Sequence, residues 1–214
     1  MPLPAPVPRE QIHTRTIVCE GFQREDGLWD IEGRLTDVKT YAFQNRDRGE
    51  IAAGEPIHDM ALRLTIDDDM LIHDVEARMD YTPYHMCPNI TPTFKRLIGL
   101  KIASGFRREV AARLGGVQGC THLVDLLGPL ATTAFQTIFP IKSRQAAKAG
   151  QGGVANRESV PNPGAPGGRP MLLGTCHSFA PDSEVVARLW PAWHKPKPAP
   201  DQTANQETTI TDPS

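Results

Sequence analysis

The sequence predicts an α+β fold in which an antiparallel sheet, built from two or three hairpins, carries two helices packed on one face. Apolar residues alternate over residues 60–66 and again over residues 71–79, which is typical of two half-buried strands. Apolar residues then recur every four positions over residues 94–110, and a second helical stripe covers residues 123–138. Strands followed by helices, rather than alternating with them, favour the α+β class.

Two hairpins are predicted in the first half of the chain. Residues 12–22 and the segment beginning at Leu28 read as strands separated by a turn at residues 24–27, and the polar residues 44–56 read as a loop. The second hairpin turns on the three aspartates at 67–69. A two-residue turn there would place residue 58 opposite residue 79.

Two helices are predicted in the second half. The four-residue period predicts one continuous helix over residues 94–114, ended by Gly115-Gly116, with Gly99 and Gly105 as places where it could bend. A second helix should begin near Thr121, and Pro129 should kink it.

The predicted organisation has five parts. Residues 1–11 form a proline-rich disordered lead-in, 12–140 a single α+β domain, 141–170 a disordered Gly/Pro-rich linker, 171–193 a hairpin docking on the main domain, and 194–214 a disordered tail.

Composition narrows the class of protein. A net charge of −2 with scattered basic residues gives no reason to expect nucleic acid as a partner. No apolar run is long enough to span a membrane, and the start lacks the pattern of a signal peptide, so we expect a cytoplasmic protein acting on a small molecule. The four cysteines form no CxxC pair and are expected to be free thiols. The sequence is compatible with an oligomer.

His122 is the first candidate for chemistry. It follows Gly-Val-Gln-Gly-Cys and falls in the first turn of the second helix. The positive end of a helix disfavours an imidazolium, so His122 should be neutral, as a metal ligand or general base must be. The competing interpretation is structural: the glycines end one helix and His122 merely begins the next.

Further candidates lie at predicted strand ends. His58 and Asp59 precede the second hairpin and Asp80 ends it, although adjacent strand residues point to opposite faces and His58 could be a core histidine. The acidic residues of these strands could equally form a solvated outer face with weak ion pairs. Secondary candidates are His13, Asp30, Cys87 and Cys120.

A resemblance supports this selection. The strings HTR, DGLWDIEGRLTDVK, GEPIHDMALRLTID, GCTHLVDLL and ATTAFQT occur in the order found in a bacterial family of unknown function, DUF2889, which the chain resembles over about residues 9–140 and in the late CHSF segment. The resemblance implies a role in bacterial metabolism, with members common in organisms that degrade organic compounds. It implies that the family's motif positions are His13, Asp30, His58, Asp59, Asp80, Cys87, Cys120, His122 and Gln136.

Three hypotheses about function remain open. The first is a metal-assisted lyase or hydrolase acting on an organic or aromatic compound, with His58, His122 and Asp80 as ligands of Zn, Fe or Mn and Asp59 or Asp80 as a base. The second is a metal-free enzyme with His122 as general base. The third is a non-catalytic module that binds a ligand or carries a metal, using Cys87 and Cys120.

A geometric expectation connects these hypotheses. His58 and Asp80 should emerge at the same rim of the sheet, and we expect His122 within about 8 Å of at least two of a set of five residues. The set is His13, His58, Asp59, Asp80 and Cys87. A continuous first helix of about 20 residues would instead carry the start of the second helix some 30 Å away.

Overall fold

The computed structural model describes residues 3–148, 169–170 and 172–197, which fall into two compact units, Met1–Lys142 and Ser143–Ser214. The first unit contains a four-stranded antiparallel sheet in the order β1-β2-β5-β6 and a separate two-stranded ribbon, β3-β4. The strands are β1 (His13–Gln23), β2 (Trp29–Lys39), β3 (Phe43–Asn45), β4 (Gly49–Ile51), β5 (Pro56–Ile66) and β6 (Ile72–Tyr81). The helices are α1 (Phe106–Leu114), α2 (Thr121–Lys148) and α3 (Glu184–Leu189), with 3-10 segments at Cys87–Leu97, Gly116–Gln118, His177–Phe179 and Pro191–Trp193. The α+β prediction is confirmed.

The core lies between one face of the sheet and the helices. Alternate residues of β2, including Trp29, Ile31 and Leu35, are buried, as the period of two predicts. They pack in one cluster with the apolar stripe of α2, which begins at Leu123 and ends at Ile138. Burying these side chains supplies the main driving force for folding, at about 25 cal/mol per Å² of apolar surface.

The opposite face of the sheet carries cross-strand ion pairs. Arg63 of β5 lies between Glu32 of β2 and Glu76 of β6 and bonds to both. Thr65 donates a hydrogen bond of 2.7 Å to Asp30. The alternating acidic residues therefore form a solvated outer face, which was the alternative interpretation of the sequence. Each exposed ion pair on it contributes about 0–1 kcal/mol to the stability of the fold.

Two glycines allow α2 to lie directly on the sheet. A Cβ atom at Gly21 would lie 1.9 Å from Thr137 Oγ1, and one at Gly33 would lie 3.0 Å from Leu130 Cδ2. The first turn of α2 reaches the other end of β1, where Arg15 contacts Asp125. The helix thus runs along β1 and β2, and its beginning lies at the end of the sheet where β1 starts.

The predicted continuous first helix is wrong. Residues 87–97 form 3-10 turns around Pro88 and Pro92, and the chain then turns at Gly99 and Gly105, both with positive φ, before α1 begins at Phe106. Prolines lack the N–H that an α-helix needs, which favours the 3-10 turns over residues 87–97. Ile98, one member of the four-residue spacing, is 41% exposed while Leu97 and Leu100 are buried, so the spacing does not follow the buried face. The break lets the chain double back, and Arg113 of α1 donates a 2.7 Å hydrogen bond to the carbonyl of Arg96.

Two further local predictions need correction in the first unit. The predicted loop at residues 44–56 contains the ribbon β3-β4, too short to show a periodic pattern. The turn between β5 and β6 covers residues 67–71, with Met70 at φ 67°, and shifts of register lie near both ends of the hairpin. Met60 therefore pairs with Met79 and Asp59 with Tyr81, instead of residue 58 with 79.

The second unit differs from its prediction too. Over the described residues 172–197 there is no hairpin; a short helix, α3, forms instead, and Ser183 caps it by accepting a hydrogen bond from the Val186 N–H. The predicted linker begins too early, because α2 continues to Lys148. The rest of that linker, residues 149–168, and the tail from residue 198 lie outside the described residues, as do the first two residues of the lead-in. None of the described helices is both long and apolar enough to cross a membrane.

Candidate functional site

Three polar side chains form a row across three neighbouring strands. The register pairs Arg15 of β1 with Asp37 of β2, and Asp37 with His58 of β5. Because directly opposed residues of an antiparallel sheet point to the same face, all three side chains project together. That face is the one covered by α2, since Asp37 continues the buried series of Trp29, Ile31 and Leu35.

Asp37 is the centre of this row. It is 1% exposed, and its two oxygens accept four hydrogen bonds. Oδ1 is 2.9 Å from His13 Nε2 and 2.8 Å from Arg15 Nε, and Oδ2 is 2.8 Å from Arg15 Nη2 and 3.0 Å from His58 Nδ1. The bidentate guanidinium contact fixes the orientation of the carboxylate.

These contacts keep Asp37 ionised. Burial by itself would raise the pKa of this carboxyl group, but the hydrogen bonds and charge of Arg15, followed by those of His58, lower the pKa to about 2. A carboxylate has no proton to donate, so the Nδ1 of a neutral His58 must carry the hydrogen in their bond. The Nε2 of His58 is then left with a free lone pair.

His58 and His122 stack against each other. Their ring centroids are 3.8 Å apart, with 33° between the ring planes. Burial, and then the nearby His122, lowers the pKa of His58 below 6.5. Burial, and then the charge of Arg15, lowers the pKa of His122 below 6.5 as well. Both imidazoles are therefore neutral at pH 7, although the main cause for His122 is burial rather than the helix dipole invoked from the sequence.

Arg15 joins the sheet and the helix. Besides holding Asp37, its Nη1 lies 3.2 Å from Asp125 Oδ2, one turn beyond His122 in α2. The hydrogen bond with Asp37 raises the pKa of Arg15, and both carboxylates contribute further. The arginine thus ties the first turn of α2 to the row on the sheet.

A cleft opens beside the two histidines. Its volume is about 350 Å³, and its lining is mostly apolar or sulfur-containing. His58, Met60, Cys120 and His122 form part of the lining, with Pro83, Tyr84, Met86, Cys87, Ile90, Val117, Gly119 and Thr121. Cys120 Sγ lies 3.9 Å from His122 Nδ1. The cleft is large enough for a small organic molecule.

The structure brings together some of the predicted residues. His58, His122, Cys87 and Cys120 line the cleft, and His13 binds the far side of Asp37. The first helix does not separate His122 from this rim because it is broken at the positions described above.

Three predicted residues lie elsewhere. Asp59 points to the opposite face and forms a bidentate pair with Arg34, at 2.7 and 2.5 Å. Asp80 accepts a hydrogen bond from Arg78, and Asp30 bonds to Thr65 at the other end of β2. Successive side chains of a strand point to opposite faces, so Asp59 lies on the outer face because its neighbour His58 lies on the inner one. Neither Asp59 nor Asp80 is therefore placed to act with His122 as ligand or base.

Sequence reasoning missed Asp37, Arg15 and Asp125. The signal for Asp37 was present, because positions 29, 31, 35 and 37 share one face of β2, and a carboxylate on an apolar face needs a partner. Arg15 shares the face of His13 by the same alternation. Asp125 follows His122 by three positions, the spacing of neighbours on a helix.

Asp37, His58 and His122 also form a candidate metal group. Each offers one ligand atom, and these atoms lie within 4.8 Å of one another; no other such group of three or more occurs among the described residues. The donor types suit Zn, Fe or Mn. The fit is partial, because all the hydrogen-bonding positions of Asp37 are taken and the Arg15 cation lies against both of its oxygens.

The fold and the site define an α+β protein with an Asp-His-His cluster beside a mostly apolar cleft. Residues 13–136, more than half of the chain and all of this cluster, match the family described as "Protein of unknown function (DUF2889)", so the chain belongs to that family. No curated protein and no solved structure matches the chain.

Proposed function

We propose that the protein is a small-molecule enzyme in which His58 acts as a general base, oriented by Asp37 and assisted by His122. One observation carries the proposal: a carboxylate that is 1% exposed holds Nδ1 of His58 at 3.0 Å, beside a second neutral imidazole and a cleft of about 350 Å³. A buried carboxylate that serves only to bind an arginine would not need two histidines as well.

The geometry gives each group a role. Nε2 of His58 accepts a proton from the substrate or from a water molecule, and the Asp37 carboxylate stabilises the imidazolium that forms. Neutral His122 still has one N–H, which can donate a hydrogen bond to negative charge developing on a substrate oxygen. Removal of a proton next to a leaving group is lyase chemistry, and activation of water is hydrolase chemistry.

The cleft suggests the kind of substrate. Its lining includes Met60, Tyr84, Met86 and Ile90 and no lysine or arginine, so an organic or aromatic compound fits it better than a polyanion. The family resemblance is in keeping with this choice, because it implies a role in metabolism and members are common in organisms that degrade organic compounds.

The metal-assisted enzyme remains the second candidate, because Asp37, His58 and His122 are grouped as ligands. In that case the metal would act as a Lewis acid on a substrate oxygen, and Asp37 would have to exchange a hydrogen bond for the ion. The metal-carrier hypothesis has less support. Among the described residues, no group of three potential ligands includes Cys87 or Cys120.

The test is turnover of a panel of small organic and aromatic compounds, followed by NMR, with wild type and three matched variants. His58→Asn and His122→Asn should lower turnover about 10²- to 10⁴-fold. His73→Asn should leave it unchanged, because His73 is bound to Asp67 in the β5-β6 turn and lies outside the cleft.

Metal analysis separates the two versions. Chelator-resistant turnover by protein without bound metal supports the general base. Stoichiometric metal, lost together with activity on adding a chelator, supports the second candidate. Full activity of His58→Asn would rule out both.

A further inference from the structure

Strand β1 has an open edge. Within the described chain β1 pairs with β2 alone, whereas at the other edge of the sheet β6 is covered by the segment around Gly99 and Leu100, which bonds to Ile72. The pairing of β1 with β2 runs without a bulge over eleven residues, and the strand contains no proline or lysine. Bulges, prolines and lysines are three of the devices that commonly keep an exposed strand from pairing.

The edge presents unpaired backbone groups at regular intervals. Thr40 N–H donates to the Ile12 carbonyl, and Arg24 N–H donates to the Leu28 carbonyl, so the even-numbered residues of this region bond toward β2. In an antiparallel ladder the odd-numbered residues then point their N–H and C=O groups outward. These residues are His13, Arg15, Ile17, Cys19, Gly21 and Gln23.

Apolar side chains accompany this edge. Ile17 is 40% exposed and Val18 49%, and Phe22 near the end of the strand is also exposed. The neighbouring helix carries little charge, since Asp125 is the one charged residue between positions 121 and 141. Apart from Thr121 in the first turn, its exposed positions up to residue 141 are Asp125, Pro129, Thr132, Gln136 and Pro140. That stripe starts where Asp125 contacts Arg15, so it borders the edge of β1.

We infer that the edge of β1, together with the bordering face of α2, binds a second copy of this chain through antiparallel β1-β1 pairing. A two-fold axis perpendicular to the sheet lies midway between two copies of the same residue, and the middle of the exposed stretch allows that residue to be Ile17 or Val18. With Ile17 on the axis, Arg15 faces Cys19 and Glu20 faces Thr14 of the other copy. With Val18 on the axis, Arg15 faces Gly21 and Glu20 faces Thr16. Neither register opposes like charges.

The size of the surface fits a dimer. Eleven residues of strand extend about 36 Å, and one sheet layer plus one helix layer is about 20 Å thick. The product is about 700 Å² per copy, close to the roughly 800 Å² per partner of stable interfaces. The same edge carries His13 and Arg15, so the second copy would lie beside the residues that hold Asp37.

The experiment measures the mass of the full-length protein, 23.5 kDa per chain, by sedimentation across a range of concentrations. Wild type should be a dimer. Ile17→Lys and Val18→Lys should each weaken dimerisation at least about tenfold, because they place like charges near the axis. Ile98→Lys is the matched control: Ile98 is 41% exposed and lies outside β1, and its substitution should leave the dimer intact.

Hydrogen exchange identifies what covers the edge. In the dimer the amides of the odd-numbered residues of β1 should be protected, and this protection should disappear on dilution. A wild-type monomer at all concentrations, a dimer unaffected by both lysine variants, or protection of these amides in the monomer by another part of the chain would each overturn the inference.

Discussion

Four hydrogen bonds converge on the Asp37 carboxylate, and three residues supply them: His13, Arg15 and His58. Each donor restricts the carboxylate in a different direction, so Asp37 fixes the ring orientation of His58 more firmly than a single bond would. The same contacts make the folding stability depend on pH, because they exist in the folded state and not in the unfolded one.

Acid stability tests the Asp37 contacts. The pKa falls from 3.8 to about 2 on folding, which corresponds to about 2 kcal/mol of stability. Because the folded pKa is the lower one, this contribution is present above pH 3.8 and is lost as the pH falls toward 2. Between about pH 5 and pH 2, wild type should lose about 2 kcal/mol more unfolding free energy than Asp37→Asn, measured with urea.

Asp69→Asn, in the exposed turn between β5 and β6, is the control for that comparison. It should lose stability with acid as wild type does. Equal acid sensitivity of wild type and Asp37→Asn would contradict the geometry described for the buried carboxylate.

The titration of the paired histidines gives a second test. Burial and mutual proximity lower the pKa of His58, so its protonated form is disfavoured in the folded state. Above pH 6.5 the lowered pKa has no effect on stability, because His58 is neutral in both the folded and the unfolded state. As the pH falls from 6.5 to the folded pKa, the unfolded chain binds the proton first and the folded state loses stability. NMR of the imidazole C–H groups should show His58 titrating below 6.5, and His122→Asn should raise its midpoint.

His73→Asn provides the comparison for the titration, because it removes an imidazole that is bound to Asp67 in the turn between β5 and β6. The His58 midpoint should not move in that variant. If the His58 midpoint did not change in His122→Asn either, the stacked His122 ring would have no influence on the pKa of His58.

At the scale of elements, α2 positions the site because it lies flat along β1 and β2. Contact between Gly21 and Thr137 at one end and between Arg15 and Asp125 at the other sets where its first turn falls. From Asp125 to Thr137 the helix rises about 18 Å, and from Arg15 to Gly21 the strand extends about 20 Å, so the two elements advance together. His122 therefore reaches the end of the sheet that carries Asp37.

Gly21→Ala tests this packing. The added Cβ would lie 1.9 Å from Thr137 Oγ1, so the helix or the strand must shift, and we expect a loss of about 1–3 kcal/mol in unfolding free energy. Adding Thr137→Ala should recover part of the loss, and urea unfolding of the single and double variants measures the coupling.

Gly128→Ala is the matched change within α2. The nearest atom to its added Cβ is 3.8 Å away, so removing a helical glycine should stabilise the protein by up to about 1 kcal/mol. Should Gly21→Ala prove equally neutral or stabilising, close contact between α2 and β1 would be disproved.

At the scale of the whole molecule, the candidate site and the main core belong to the first unit. The core cluster begins at Trp29 and ends at Ile138, and the site residues fall between His13 and Asp125. Both therefore lie within the segment that matches the family, apart from the last turn of the core in α2. The physical expectation is that this part of the chain folds without the rest.

A protein ending at Lys148 tests that expectation. Its urea unfolding free energy should lie within about 0.5 kcal/mol of the full-length value, because no residue of the core cluster is removed. The low histidine titration midpoints should persist. A larger loss of stability, or a change in those midpoints, would show that the second unit supports the site.

Much of the fold follows from the sequence alone. Apolar alternation in β2, β5 and β6 and the stripe of α2 are local patterns, and burial of one face forces the corresponding strand or helix. Gly99 and Gly105 were predicted as places where the first helix could bend, but its replacement by 3-10 turns and a short α1 was not predicted, and neither was the ribbon β3-β4. An apolar spacing of four does not by itself establish an α-helix, and three-residue strands have no period.

The sequence by itself determined that the chain is an α+β protein and that His58 and His122 are candidates for chemistry. Only the tertiary structure decided which carboxylate accompanies them. Asp59 is adjacent to His58 in the chain, yet the pleat turns it to the other face and into a pair with Arg34. Asp37, 21 positions away, reaches His58 because antiparallel pairing places the two opposite each other on the buried face. Register is a property of paired strands, so no single segment of sequence could specify that partner.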